Sequence, residues 1–140
     1  MAAIDLNTVR STIEARLATE LASSPAIPVV FSNMTFDSPA EDTFVQCITS
    51  FGAGEYLTMG GSANSTNNVV GLLLINIFTE EGIGAGSNLI IGKRLRDLYN
   101  NITVSNVIFD SPVGPEILAS SPEGKFQTQI RITFNIYEDL

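Results

Sequence analysis

The stretch from Val69 to Asn101, VVGLLLINIFTEEGIGAGSNLIIGKRLRDLYNN, limits what this chain can fold into more than any other part of it. From Val69 to Phe78, apolar residues occupy both parities: Val69, Leu73, Ile75 and Ile77 on one, Val70, Leu72, Leu74 and Phe78 on the other. Side chains alternate across a strand, so a strand apolar on both faces needs cover on both. The second cover can be a helix of the same subunit or the surface of a neighbouring copy. After Glu80-Glu81 the chain turns through Gly82, Gly84 and Gly86, and a helix is expected to start at Ser87, a residue suited to the N-cap. Leu89, Ile91, Leu95, Leu98 and Tyr99 recur mostly three and four residues apart and form its apolar stripe. Asn100-Asn101 ends it.

The flanks supply the other layers. A first helix is expected from about Asp5 to Ala22, with Leu6, Val9, Ile13, Leu17 and Leu21 as its stripe and Pro25 beyond its end. Ile27 to Phe31 reads as a short strand, and Phe36 to Asp42 as a polar loop. Thr43 to Phe51 is a strand with Val45, Cys47, Thr49 and Phe51 on one face; Gly52-Ala53-Gly54 breaks it, and Glu55 to Met59 can resume it. Thr103 to Phe109 reads as one strand, and Val113 to Leu118, interrupted by Pro115, suits a sheet edge. Phe126 to Tyr137 alternates cleanly, with Thr128, Ile130, Ile132, Phe134 and Ile136 pointing one way and Gln127, Gln129, Arg131, Thr133 and Asn135 the other. This order predicts an α+β fold, a mainly antiparallel sheet with two helices packed on it, as one domain over residues 1–140. The segment at about 60–68 is small and polar apart from Ala63. It is expected to be a mobile loop whose Gly60, Gly61, Ser62, Asn64, Ser65, Asn67 and Asn68 reach a partner.

Chemistry is harder to place. With no histidine, the usual neutral-pH base and the commonest zinc ligand are missing. A phosphate loop needs four residues between its glycine and the Gly-Lys pair, followed by Ser or Thr; here five separate Gly86 from Gly92, and Arg94 follows Lys93. Glu41-Asp42 and Glu80-Glu81 lie beside turns, where solvated carboxylates are common, and no loop has calcium-ligand spacing. Cys47 sits among apolar neighbours and reads as a buried small hydrophobe. The sequence therefore predicts no catalytic residues, no metal and no cofactor: not an enzyme.

Bulk properties point to assembly. The net charge of −8 argues against a general grip on nucleic acid. Only 16% of residues are charged, an apolar surplus whose usual destination is contact between subunits. No apolar run reaches the ~18 residues of a membrane span. The amphipathic, acid-containing N-terminus is unlike a signal peptide, and the single cysteine fits a reducing cytoplasm. Lys93, Arg94 and Arg96 place three of the seven cations within four residues. They either form a solvated face that complements the negative end of the helix dipole, or meet acidic groups on a neighbouring copy.

Several parts occur in a familiar order. They are an amphipathic helix, Pro28-Val29-Val30-Phe31, the loop Phe36-Asp37-Ser38-Pro39, a long polar hairpin, and an apolar strand with a glycine-rich turn. A helix around Arg94-Leu95-Arg96-Asp97-Leu98-Tyr99 and a closing alternating strand complete the series. In this order and pattern the chain resembles the tail terminator-like proteins of long-tailed bacteriophages. The resemblance implies a structural virion protein in which six copies, the favoured number, form a ring. That ring would cap the tail tube, stop its growth and offer the surface that joins the head-tail connector protein. Its partners would be itself, the tail tube protein and the connector. An acidic lumen would pass DNA without binding it specifically. A tail tube protein or another neck component is the alternative, and a small-ligand-binding domain the reading from a different class.

Overall fold

The two-sided strand and the cleanly alternating one find each other. The computed structural model describes residues 5–23, 26–31, 43–56, 66–80, 82, 84–118 and 125–139. In chain order its elements are α1 (Leu6–Glu20), β1 (Val29–Phe31), β2 (Phe44–Tyr56), β3 (Thr66–Glu80), α2 (Gly86–Tyr99), β4 (Thr103–Val104), β5 (Val107–Phe109), β6 (Val113–Ile117) and β7 (Lys125–Asp139). The seven strands form one sheet in the order β1-β2-β3-β7-β5-β4, with β6 also paired to β7. Every pairing is antiparallel except β1 with β2. The fold is α+β, as the order of elements predicted.

β3 and β7 run in unbroken register from Thr66 opposite Asp139 to Glu80 opposite Lys125. Strands this long hold their register because a one-residue slip would turn every inward side chain outward. β2 does not stop at its glycines. Gly52 and Ala53 together oppose Val70, a bulge that absorbs the extra residue, and the strand continues to Tyr56. Thr103 to Phe109, by contrast, is two strands. A two-residue turn at Ser105-Asn106, with Ser105 in the left-handed region (φ 53°), folds β4 back on β5. The polar segment at 60–68 also divides: Thr66, Asn67 and Asn68 already belong to β3, and residues 60–65 lie outside the described residues.

Both helices lie on one face of the sheet. From α1, Val9, Ile13 and Leu17 are buried, and so is Leu21 just past its end; Leu6, expected on the stripe, is 45% exposed. They meet Val45 and Cys47 of β2, Leu73, Ile75 and Ile77 of β3, and Ile130, Ile132, Phe134 and Ile136 of β7. Full burial of each such side chain is worth about 1.5–3 kcal/mol, so this layer dominates the stability. Gly71 faces Phe134 across the pair, and a Cβ there would stand 2.1 Å from the ring. The glycine is needed for space.

The helices begin differently. Asp5 caps α1, its carboxylate accepting from the Asn7 amide at 3.1 Å and the Thr8 hydroxyl at 3.0 Å. α2 starts behind Ala85, which makes no side-chain cap, so Ser87 sits inside the first turn and is not the N-cap. What fixes its start is the next residue.

Candidate subunit interface

Asn88 is fully buried in the first turn of α2. Its Oδ1 accepts from the Thr79 hydroxyl, and its Nδ2 donates to the Ile77 carbonyl at 3.2 Å, the Phe126 carbonyl at 3.4 Å and Thr128 Oγ1 at 3.3 Å. One side chain thus ties the helix to β3 and β7. Four residues on, Gly92 is buried where a Cβ would stand 2.6 Å from Cγ of Pro115 in β6. Leu95 and Tyr99 complete the inward line, and the Tyr99 hydroxyl donates to the Ile13 carbonyl of α1 at 2.9 Å. Burial raises the Tyr99 pKa, and burial reinforced by Glu14 raises that of the Cys47 thiol to about 12. Cys47 is neutral and 1% exposed, a core residue as the sequence implied.

Because Asn88 and Gly92 face inward, Leu89 and Ile90 between them do not, while Ile91 is half-buried against the core. Leu89 is 48% exposed and Ile90 74%. Leu89 was expected on the buried stripe; the polar tether and the packing against Pro115 rotate it out. Ile90 and Ile91 border a groove of about 420 Å³, shared with Ile27 and Thr43.

The three cations separate. Lys93 is exposed and pairs with Asp97 one turn on, at 2.7 Å. Arg94 reaches across to α1, where Nε meets Glu20 Oε1 at 2.8 Å and Nη2 donates to the carbonyls of Glu20 and Ser23. Arg96 donates to the Gly114 carbonyl at the cis Gly114-Pro115 corner of β6. Arg16 of α1 returns the favour, its Nε donating to the Leu98 carbonyl near the end of α2 at 3.0 Å. Each helix end exposes carbonyls without intrahelical partners and carries partial negative charge, and each is capped by an arginine of the other helix. Within the subunit, Arg94 and Arg96 are engaged with α1 and with the β6 corner, so they are not simply a solvated face.

The opposite face of the sheet carries the other parity of β3. Phe44 and Phe78 stack there at 4.6 Å with Lys125 over Phe44, and a polar ladder follows: Gln129 Nε2 donates to Asn76 Oδ1 and Asn76 Nδ2 to Gln46 Oε1. Beyond it Ile48, Leu72 and Leu74 are half-buried and Val70 is 39% exposed. No described helix lies on this face. β6 adds Val113, opposite Arg131 and 51% exposed; Ile117, opposite the inward Thr128, lies on the helix face and is 61% exposed. Among the described residues no group of His, Cys, Asp or Glu could hold a metal ion.

Residues 8–133 match the model of a family described as phage tail terminator protein. The chain belongs to this phage tail terminator family. Its role is structural, and its place is the virion tail. A solved structure matches this tail terminator over 96% of each chain, with a TM-score of 0.71 and 16% identity, a likeness of fold. A search of curated proteins found no match.

For this terminator, sequence reasoning missed Asn88, Gly92 and Ile90. A polar residue and a glycine four apart, at the start of a helix with spare apolar residues beside them, were the available signal. No described helix of the terminator is long and apolar enough to cross a membrane. Of the acidic pairs, Glu80 is exposed, while Glu41, Asp42 and Glu81 lie outside the described residues, as does the Phe36–Pro39 loop.

Proposed function

We propose that the protein acts as a closed ring of identical copies, six favoured, that caps the finished tail tube, stops its growth and offers the surface that joins the head-tail connector. What supports the ring is apolar surface left uncovered by the subunit's own helices: Leu89 and Ile90 on α2, Val113 and Ile117 on β6, and the Leu72–Leu74 band of β3. A chain with 16% charged residues and such patches gains most by burying them in contacts between copies. With a net charge of −8 the ring would repel DNA in its lumen, so genome passes without specific binding. The polar residues Gly60 to Ser65, between β2 and β3, would meet the tail tube or connector protein. The chain would be made in the host cytoplasm and act without catalysis or cofactor.

The test is a phage lacking this chain. Electron microscopy should show over-long or uncapped tails detached from heads, and supplying the wild-type chain should restore tails of defined length joined to capsids. Normal, head-joined tails in its absence would sink the reading. Purified protein that grows into filaments, in place of single rings, would indicate a tube subunit.

A further inference from the structure

We propose that neighbouring copies join through two unlike apolar patches: Ile90, with the groove beside it, on one copy, and Ile117, on the helix face of the β6 edge, on the next. The inference rests on the ring reading and names the surfaces that would close it. A ring joins different patches of identical subunits, and these must sit on opposite flanks for each copy to have two neighbours. The strand order supplies such flanks. β1 lies at one side of the sheet, and β6 pairs with the far side of β7, its one strand partner among the described residues. α2 lies between them and is oriented by its contacts. Gly92 packs on Pro115 of β6, and Ile90 lies two residues away, about 200° around a helix of 3.6 residues per turn. Ile90 therefore faces away from β6, towards Ile27 and Thr43, the groove of about 420 Å³ on the β1 side.

Charge favours the same pairing. Copies carrying −8 each repel, and they approach most easily where the surface is least charged. The groove is bordered by one charged side chain, Arg94, paired with Glu20 at 2.8 Å, and β6 contains one, Glu116, paired with Arg131 at 2.7 Å. Ile90 at 74% exposed and Ile117 at 61% are the two most exposed of the large hydrophobic side chains among the described residues. Arg94 and Arg96, being held within the subunit, are not needed as the contact.

The experiment uses the full-length chain with Ile90→Asp or Ile117→Asp, each alone and mixed in equal amounts, followed by sedimentation velocity. Circular dichroism and melting should match wild type, because both positions are exposed. Each variant alone should be monomeric where wild type is a ring. The mixture should give dimers, because the intact β6 of the Ile90→Asp chain can still receive the intact Ile90 of the Ile117→Asp chain. Rings from either variant, or a mixture that stays monomeric, overturn the assignment of patches while leaving the ring. If wild type is monomeric in solution but ringed on purified tails, the same variants are scored by retention on tails, and full retention overturns the assignment. Wild type that is monomeric in both settings refutes the ring reading itself, and the proposal with it.

Discussion

The two helices share one face of one sheet, yet they spend their apolar residues in opposite ways. α1 buries Val9, Ile13 and Leu17 and shows mostly polar residues to solvent. α2 buries Asn88 and Gly92 in its first two turns and exposes Leu89 and Ile90. A helix held only by the hydrophobic effect would rotate to hide those two side chains. α2 cannot, since rotation would break the four hydrogen bonds of Asn88 and drive a side chain into Pro115. Directional polar contacts thus fix an orientation that leaves apolar surface available to another molecule. α1 serves the core alone, and α2 serves the core and a surface.

The largest effect should separate the helices on core packing. Leu17→Ala in α1 removes a fully buried side chain and should cost about 2–5 kcal/mol, whereas Ile90→Ala in α2 should stay within about 0.5 kcal/mol. Denaturant titration of the two variants measures the contrast; equal losses would mean that Ile90 is packed within the subunit after all. An intermediate effect tests the tether. Asn88→Ala leaves Thr79, Thr128 and two carbonyls without their shared partner and should cost about 1–3 kcal/mol, although alanine is the better helix former. A neutral or stabilising result would show that helix propensity, not the buried bonds, governs this turn. The smallest effect tests the crossing. Arg94→Gln should cost about 1 kcal/mol, its ion pair with Glu20 being partly screened by solvent, and should speed amide exchange at the end of α1. If assembly fails while exchange in α1 stays as in wild type, Arg94 contacts a partner and the internal cap is incidental.

What could be read from the sequence depended on whether the signal was local. The inward line of β7, Thr128 to Ile136, was legible because alternation is a period-two pattern contained within one strand. So was the buried Cys47, carried by its neighbours on β2. The helical stripe of α2 was half legible: Leu95 and Tyr99 are buried as expected, but the pattern counts only apolar residues. Asn88 belongs inside because Thr79 and Thr128 wait nine and forty residues away, and Gly92 because Pro115 does. The target of Arg94 lies seventy-four residues earlier, beyond any helical or strand period. The same limit hid the continuity of β2, because a bulge exists only relative to the partner strand.

The crossed arginines also set a schedule for synthesis. Glu20 leaves the ribosome seventy-four residues before Arg94, and at ~5–20 residues per second that gap is roughly 4–15 s. Over that interval α1 has no distal cap, and the sheet it will lie on is at most β1 to β3, without β7; a helix of fifteen residues is marginal in water by itself. Its apolar stripe, Val9, Ile13 and Leu17, is therefore offered to whatever chaperones attend the nascent chain until α2 arrives.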